Sequence, residues 1–395
     1  MPKKVAVLGY GVVGSGVCEV IRTNAESISR KAGESIEVKY ILDIRQIPPS
    51  DPESEKITSD FNLILNDPEI SVVAEVMGGA TFAYDYTKAL LYAGKNVVTS
   101  NKELVAKHGT ELLAIAKEKG INYLFEASVG GGIPIIRPLY SCLVANEITK
   151  ITGILNGTTN YILTKMFKEG CDFETVLLEA QAKGYAEKDP TADVGGHDAC
   201  RKIAILGSLV FGKKVDYNLI KTKGITNITS EDVMYAEKLN SVIKLIGQAE
   251  MKNGVVYASC EPRVVGKDSP LASIDGVFNG IMVNGNAIGE VVFYGPGAGK
   301  LPTASAVVAD IIDSIRNIDR NRAFDWVEAE EGFVAPEAEN EGEYLIILDK
   351  KNIDNINIPY SKTVEIYENE VGIVTNTIKE GCLESPYIKR YMKLL

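Results

Sequence analysis

Histidine is almost absent from this chain. Only His108 and His197 occur among its 395 residues. This scarcity argues against a metal site built on several histidines and against a catalytic triad of serine, histidine and aspartate. His197 precedes Asp198, but neighbouring residues of a helix point in different directions. We therefore do not expect His197 to take part in proton transfer.

Cysteine is scarce and scattered. The six cysteines form no C-x-x-C pair, and they are Cys18, Cys142, Cys171, Cys200, Cys260 and Cys382. Such spacing argues against a zinc site and against a disulfide framework. It favours a reducing compartment, so we expect a cytoplasmic protein.

Long apolar runs and basic clusters are also missing. No apolar run approaches the roughly 20 residues of a membrane span, and the apolar run of 5–9 is too short for a signal peptide. The formal net charge is −11, and no basic patch stands out. We therefore expect neither a membrane nor a nucleic acid as a partner.

The order of the apolar segments predicts an α/β fold. A chain of 395 residues should form two or three domains. Its first part alternates apolar runs with helical patterns, which is typical of a Rossmann-like parallel sheet with crossover helices. The predicted strands are Val5–Leu8, Val38–Leu42, Val72–Val76, Asn96–Thr99 and Tyr123–Glu126.

The remaining sequence predicts an α+β domain and a small α+β tail. One long helix is predicted over Ser230–Ile246, and the apolar helix Ala304–Ile318 should return to the first domain. The acidic segment Glu328–Glu343 reads as a linker. In the tail we expect strands at Tyr344–Leu348 and Thr363–Thr377. A closing helix is predicted near Pro386–Leu394.

A glycine-rich loop carries the first functional signal. Gly9-Tyr10-Gly11-Val12-Val13-Gly14 matches G-x-G-x-x-G, follows a predicted strand and opens a predicted helix. In that context the glycines allow a tight turn, close approach of a pyrophosphate and close helix–strand packing. We interpret Gly9, Gly11, Val12, Val13 and Gly14 as dinucleotide-binding, although a turn without a ligand has the same pattern.

The residues that could bind the ribose of the cofactor lie at the end of the second predicted strand. Asp43 ends this strand, about as many residues after the glycine loop as the acid that accepts a hydrogen bond from the ribose 2′-hydroxyl of NAD. Arg45, two residues further on, could meet the 2′-phosphate of NADP. The two signals conflict, so the sequence predicts NAD or NADP without choosing, and surface charge at a strand end remains an alternative.

Two further strand ends carry candidate residues. Ser100 and Lys102 follow a predicted strand, where ligands of doubly wound sheets bind, but Lys102 could equally start a helix in solvent. Another strand ends in Glu126-Ala127-Ser128-Val129-Gly130-Gly131-Gly132-Ile133. Its glycines free carbonyl oxygens that suit a hard cation, although a simple linking turn would use the same residues.

The segment from Gly184 to Lys202 is the most informative in the chain. Asp198 and Lys202 are spaced i,i+4 and share one face of a helix. Glu187 precedes the Asp189-Pro190 turn, which could fold it back toward that pair. Two carboxylates and an ammonium could hold a small amino acid and move a proton. A solvated helix with one surface ion pair is the alternative.

With these residues the chain resembles homoserine dehydrogenases over about residues 4–317. The segment from Gly184 to Lys202 follows that family's signature. Further similar segments are Thr99–Lys102, Glu126–Val129, Gly153–Tyr161 and Gly295–Ser305. The resemblance implies NAD(P)-dependent interconversion of L-homoserine and L-aspartate 4-semialdehyde, in the biosynthesis of threonine, methionine and isoleucine.

The resemblance also implies a role for each matching residue. Lys202 is the acid–base residue, and Glu187 and Asp198 bind the substrate. Lys102 lies between cofactor and substrate, while Gly184 and Gly299 line the cofactor. The positions that bind a structural sodium ion, mainly through carbonyls, are Glu126, Val129, Gly131 and Ile133.

The implied organisation is a homodimer or higher homo-oligomer of a three-part chain. A dinucleotide-binding domain spans 1–130 and is completed by a returning helix at 302–320. A catalytic and dimerisation domain spans 131–301. A linker and a shortened ACT-like tail span 328–395, and the tail lacks the turn and first helix of a full ACT domain. We therefore expect no feedback by threonine.

Two other functions remain open on the sequence. One is another two-domain Rossmann oxidoreductase, although such families often use a Lys-Pro pair where this chain has Lys102-Glu103. The other is a dinucleotide-sensing regulator without activity, which would have no need of Glu187, Asp198 and Lys202 together.

Overall fold

The computed structural model describes residues 2–318, 320–322 and 326–395. These residues form two compact units. The first comprises Met1–Ala145, Ser208–Lys214 and Gly295–Glu328. The second comprises Asn146–Gly207, Val215–Tyr294 and Ala329–Leu395.

The first unit is built on a six-stranded parallel sheet. Its strands are β1 (Lys3–Leu8), β2 (Ile36–Leu42), β3 (Ile57–Thr58), β4 (Ile70–Glu75), β5 (Asn96–Thr99) and β6 (Tyr123–Leu124). They lie in the order β3-β2-β1-β4-β5-β6, which is the Rossmann order. The predicted α/β class and the five predicted strands of this sheet are confirmed, although the last strand ends at Leu124 and Glu126 begins a 3-10 turn. The short β3 forms in a segment without a strand-like pattern.

Helices surround this sheet because its strands are apolar on both faces. They are α1 (Val12–Thr23), α2 (Ala25–Ala32), α3 (Phe61–Asn66), α4 (Thr81–Tyr92), α5 (Lys102–Lys119), α6 (Ile136–Ser141) and, from the end of the chain, α12 (Lys300–Arg316). Helix α12 packs on α1 at Gly16, where an added Cβ would lie 2.8 Å from the carbonyl oxygen of Lys300. The returning helix is thus part of the first unit.

The second unit contains a ten-stranded mixed sheet. Its strands are β7 (Ile148–Ile154), β8 (Lys221–Thr222), β9 (Ser241–Lys252), β10 (Val255–Gly266), β11 (Phe278–Gly285), β12 (Gly289–Pro296), β14 (Tyr344–Asp349), β15 (Tyr360–Tyr367), β16 (Glu370–Thr375) and β18 (Ile388–Leu394). The order is β12-β11-β7-β9-β10-β18-β14-β16-β15, and β8 pairs with β10.

Five helices and a small two-stranded sheet complete this unit. The helices are α7 (Gly157–Glu169), α8 (Phe173–Ala182), α9 (Thr191–Val194), α10 (His197–Phe211) and α11 (Ser230–Lys238). The small sheet consists of β13 (Glu341–Gly342) and β17 (Ile378–Lys379).

The long helix predicted over Ser230–Ile246 is wrong in its second half. A capping box between Thr229 and Asp232 starts α11, but the helix ends at Lys238, and Asn240 adopts a positive φ of 52°. The chain then reverses into β9, which pairs with β10 along twelve residues. Pairing with β10 thus determines the conformation of this segment despite its local helical pattern.

The closing helix predicted near Pro386–Leu394 is also wrong. This segment forms β18, which pairs antiparallel with β14 and parallel with β10. The tail strands therefore continue the sheet of the second unit. Their order, β18-β14-β16-β15, is that of a four-stranded β-α-β-β-α-β unit. Short 3-10 turns at Lys350–Asn355 and Glu380–Leu383 occupy the helix positions.

None of the helices in the described ranges combines the length and the apolarity needed to cross a lipid bilayer.

Candidate active site

The glycine loop has the geometry that dinucleotide binding requires. Gly9 adopts a φ of 98°, and a Cβ on Gly14 would lie 1.9 Å from the Gly9 carbonyl oxygen. A Cβ on Gly11 would meet nothing within 4 Å, so backbone is open to a ligand there. Val12 and Val13 form the first turn of α1, which contains no acidic residue. The partial positive charge of this helix end is thus available to a phosphate.

A cavity of about 560 Å³ lies beside this loop. It is lined by the carboxyl ends of β1, β2 and β4, where the strand order reverses and dinucleotides bind in this fold. The lining residues are Gly9, Tyr10, Gly11, Leu42, Asp43, Ile44, Arg45, Ser59, Val76, Met77, Gly78, Phe82 and Tyr86.

Asp43 and Arg45 form a bidentate ion pair in this cavity. The Arg45 Nε and Nη2 donate to the Asp43 carboxylate at 2.9 and 2.7 Å, and the Tyr10 amide donates to it at 2.9 Å. The hydrogen bonds from Arg45 hold the pKa of Asp43 well below its usual range. The acid that favours NAD and the guanidinium that favours NADP therefore lie side by side in this cavity.

A buried glutamate at the end of β4 connects the neighbouring loops. The Glu75 carboxylate accepts hydrogen bonds from Thr99 Oγ1 at 2.6 Å and from the Met77 amide at 2.8 Å. Thr99 Oγ1 in turn accepts from the Asn101 amide at 2.9 Å. Burial raises the pKa of Glu75 to about 7. Glu75 was not predicted from the sequence, because it lies inside the predicted strand Val72–Val76.

Lys102 and Ser100 lie at the end of this network. Asn101 caps α5, because its Oδ1 accepts from the Leu104 amide at 3.0 Å. Its Nδ2 donates to the Gly79 carbonyl at 2.7 Å. Lys102 is the first residue of α5 and is half-buried, and the Ser100 amide donates to the Glu75 carbonyl at 3.3 Å. The network therefore fixes the backbone that carries Lys102.

In the second unit, Asp198 and Lys202 form a buried ion pair on α10. The Lys202 Nζ donates to Asp198 Oδ2 at 2.7 Å and to the Leu155 carbonyl at 2.8 Å. Lys202 is 9% exposed and Asp198 is 4% exposed. A solvated surface pair, the alternative left open by the sequence, is excluded by this burial.

Two residues missed by the sequence analysis extend this cluster. Asn156 caps α7 and donates through Nδ2 to Asp198 Oδ2 at 2.9 Å and to Asp193 Oδ1 at 2.7 Å. Asn156 and Asp193 are 37 positions apart. Both lie in segments quoted above for family resemblance, Asn156 in Gly153–Tyr161 and Asp193 between Gly184 and Lys202, and this was the available signal.

The loop before α9 carries the other predicted residues of this unit. Gly184 adopts a φ of 73° in the turn after α8. Glu187 is exposed, and its carbonyl accepts from Gln181 Nε2 at 3.0 Å. The loop is anchored by Thr158, whose Oγ1 donates to the Tyr185 carbonyl at 2.6 Å. The structure thus brings Asp198 and Lys202 into contact, and it leaves Glu187 at the surface of the same segment.

The candidate cation segment of the first unit forms a tight turn. The Glu126 carboxylate accepts from the amides of Ile135, Ile136 and Arg137 at 2.7–2.8 Å, so its side chain is fully engaged. Gly131 adopts a φ of 56° against the Gly297 backbone. In the described part of the chain, no group of three or more His, Cys, Asp or Glu side chains could hold a metal ion. Any cation here would therefore depend on carbonyls.

Gly299 also belongs to the first unit. It adopts a φ of 125° immediately before α12, and its carbonyl accepts from the Thr303 amide at 3.1 Å. Few residues other than glycine adopt this backbone conformation.

Comparison with known proteins assigns the family. Residues 9–126 match the family model of the homoserine dehydrogenase NAD binding domain, and residues 134–312 match that of homoserine dehydrogenase. The homoserine dehydrogenase of Pseudomonas aeruginosa is 45% identical over 80% of this chain and 73% of its own length. That of Bacillus subtilis is 44% identical, with the same coverage. The chain belongs to the homoserine dehydrogenase family.

Solved homoserine dehydrogenase structures agree. A homoserine dehydrogenase from Thiobacillus denitrificans matches with a TM-score of 0.92 and 34% identity, over 100% of this chain and 98% of that one. A hyperthermophilic archaeal homoserine dehydrogenase in complex with NADPH matches with a TM-score of 0.68 and 29% identity, over 80% of this chain and 98% of that one.

This membership makes the chain an NAD(P)-dependent oxidoreductase of amino-acid biosynthesis. The predicted family and its enzymatic activity are confirmed, and the two alternatives, another Rossmann oxidoreductase and a regulator without activity, are set aside.

Proposed function

We propose that this homoserine dehydrogenase interconverts L-homoserine and L-aspartate 4-semialdehyde with Lys202 as the acid–base residue. The observation that carries the proposal is the buried Lys202 ammonium, held by Asp198 Oδ2 and the Leu155 carbonyl. The nicotinamide ring supplies the hydride acceptor or donor. Lys202 supplies or removes the proton at the reacting oxygen.

The proton transfer follows from the charge of Lys202. When the aldehyde is reduced, negative charge grows on its oxygen, and an adjacent ammonium both stabilises that charge and gives the proton. Burial of Lys202 makes this stabilisation stronger than it would be in water. Asp198 keeps the lysine side chain in one orientation, because the two are joined by a 2.7 Å hydrogen bond.

Carboxylates of the second unit fit the amino group of the substrate. Asn156 fixes Asp193 and Asp198 side by side through its two amide hydrogen bonds. Glu187 belongs to the adjoining exposed loop. We assign Asp198 and Glu187 to substrate binding, as the sequence predicted, and add Asp193 as a neighbour that shares Asn156.

Residues of the first unit would hold the cofactor. The open backbone at Gly11 and the acid-free first turn of α1 suit the pyrophosphate. Asp43 and Arg45 would receive the ribose, and Ser100 and Lys102 follow the neighbouring strand. Gly299 of this unit and Gly184 of the second unit remain assigned to the cofactor by family resemblance. We propose that both NAD and NADP are accepted, since acid and guanidinium share one position.

The proposal is tested by nicotinamide absorbance with L-homoserine in the parent protein and in Lys202→Ala. The variant should lose turnover by about 10²–10⁴-fold, the usual loss for an acid–base group, with little change in cofactor affinity. Lys183→Ala, which removes an exposed ammonium paired with Glu179, is the control. Equal turnover in Lys202→Ala and in the control would contradict the assignment.

We further propose a sodium ion bound by main-chain carbonyls of Glu126, Val129, Gly131 and Ile133. The donor set supports it, because carbonyl oxygens suit hard cations and the Glu126 side chain is engaged elsewhere. Thermal stability should be higher in sodium chloride than in tetramethylammonium chloride at equal ionic strength. Identical melting temperatures in the two salts would contradict the site.

We propose a homodimer formed through the second unit. The edge strand β12 and the residues near it expose apolar side chains, with Tyr294 58% exposed, Ile288 43% and Val292 37%. Exposed apolar surface of this kind marks association sites.

The cytoplasm remains the proposed compartment, and the six free thiols are compatible with it.

We propose that residues 344–395 are a reduced ACT-like module. Its support is the strand order β18-β14-β16-β15, with 3-10 turns where two helices would stand. Its own core includes Tyr344, Ile346, Leu348, Val371 and Ile373. Without those helices the module offers less surface for an effector, so we propose that it serves assembly.

A further inference from the structure

A cavity of about 220 Å³ lies where the tail strands join the main sheet of the second unit. That volume has room for about seven water-sized groups. It is remote in sequence from the residues assigned to catalysis, and polar side chains dominate its lining. The lining residues are Gln248, Glu250, Lys252, Asn253, Tyr257, Ala258, Ser259, Arg263, Glu339, Asn340, Glu341, Lys379 and Lys393.

Arg263 is the central cation of this cavity and is 2% exposed. Its Nη1 donates to Gln248 Oε1 and its Nη2 donates to Ser259 Oγ, both at 2.7 Å. Both acceptors are neutral. Within the described ranges, the Arg263 Nε has no hydrogen-bond partner although it is buried. A guanidinium has five N–H donors, so the two bonds leave most of its capacity unused.

Lys393 lies beside Arg263 on the adjacent strand. The two residues are Cα partners in the parallel pairing of β10 and β18. Among the residues that the structure describes, no carboxylate lies within 4.0 Å of the Lys393 ammonium. Burial and the Arg263 charge lower the pKa of Lys393 to about 8. Like charges on paired residues destabilise a sheet unless something compensates them.

The nearest buried carboxylates are already engaged. Glu261 and Glu380 both pair with Lys221, and Glu261 lies 2.5 Å from it. The closest approach of Glu261 to Arg263 is only 3.9 Å. Lys221 also pairs with Glu337. The cavity lining itself carries four cations and three carboxylates, and two of these carboxylates pair with Lys252 and Lys379. A surplus positive charge therefore remains at Arg263 and Lys393.

We propose that this cavity binds a small carboxylate, whose oxygens bridge Arg263 and Lys393. Arginine pairs with carboxylates through its N–H donors, and Arg263 uses only two of its five donors in the hydrogen bonds to Gln248 and Ser259. The ligand's negative charge would compensate the surplus positive charge. Since β18 is the last strand of the chain and β10 belongs to the main sheet, a bound ligand would tie the tail to that sheet.

The test measures binding of sodium acetate and sodium phosphate to the full-length protein by calorimetry and melting temperature, with sodium chloride at equal ionic strength as reference. Acetate should bind saturably and raise the melting temperature above the chloride reference. Lys393→Gln should weaken acetate binding by about ten- to hundredfold, the loss of one charge-assisted hydrogen bond.

Two matched variants complete the experiment. Lys389 lies on the same strand as Lys393, and its ammonium pairs with Asp349. Lys389→Gln should therefore bind acetate as the parent does. Lys393→Arg keeps the charge while it changes the side chain, and it should bind acetate as the parent does. The proposal is overturned if acetate acts like chloride, or if Lys393→Gln binds it as the parent does. Tighter binding of phosphate than of acetate would overturn the assignment of a carboxylate.

Discussion

Glu75 should make the stability of the first unit depend on pH in a way that one substitution abolishes. The residue is fully buried, and burial raises its pKa from 4.5 to about 7. Its oxygens accept hydrogen bonds from Thr99 and Met77, which lower the pKa but do not compensate the loss of hydration. Ionised Glu75 therefore costs the folded protein free energy.

The sign follows from the two pKa values. Between pH 4.5 and about 7 the folded protein retains a proton that the unfolded chain has released. Stability from this residue is therefore complete below pH 4.5 and is lost as the pH rises through 7. Each pKa unit corresponds to about 1.4 kcal/mol, so the loss above pH 7 amounts to about 3 kcal/mol.

Glu75→Gln imitates the protonated carboxyl at every pH. Its Oε1 can accept from the Met77 amide, and its Nε2 can donate to Thr99 Oγ1, whose hydroxyl proton can rotate away. The difference in unfolding free energy, variant minus parent, should rise by about 3 kcal/mol between pH 4.5 and 8. Other groups that titrate in this range, such as Asp310, contribute equally to both proteins and cancel.

The assay is urea unfolding followed by fluorescence of Trp326. This is the only tryptophan in the chain, and it is buried in the first unit against Phe125. Glu118→Gln, which neutralises an exposed carboxylate of α5, is the matched control and should show no such rise. A variant-minus-parent difference that stays flat from pH 5 to pH 8 would refute the reasoning.

Three further predictions concern cofactor, effector and assembly. Arg45→Ala should lower the ratio of kcat/KM for NADP to kcat/KM for NAD by about ten- to hundredfold. Asp43→Asn should raise the same ratio. If neither variant changes the ratio, the proposed ribose position at Asp43 and Arg45 is wrong. Millimolar L-threonine should leave the rate of nicotinamide reduction unchanged, and saturable inhibition would contradict the reduced tail. Val292→Lys should convert a dimer to monomer in light scattering, whereas Lys168→Glu, on the exposed surface of α7, should not.

The parts of the site that the sequence predicted depend on local geometry. The glycine loop requires a strand, a turn and a helix in immediate succession, and all three were readable. Asp198 and Lys202 are four residues apart on one helix, so their contact follows from the helical repeat. Local spacing therefore carried these predictions.

The missed residues depend on contacts between distant segments. Asn156 reaches Asp193 and Asp198 only because β7 and α7 are placed beside α10 by the fold. Glu75 and Thr99 meet because β4 and β5 are paired in register. No periodicity in the chain encodes such pairs, so a single sequence without relatives could not predict them.

The tail illustrates the same limit at the level of secondary structure. Its last segment has apolar residues at Ile388, Tyr391, Met392 and Leu395, a spacing that fits one helix face. The segment is nevertheless a strand, because partners on both sides pair with its backbone, Tyr344–Asp349 on one side and Val264 on the other. Since this final strand is the link between tail and main sheet, deleting the tail would remove the partner of β10 at Arg263 and Val264. Point variants on β18 are therefore the sounder way to separate assembly from regulation.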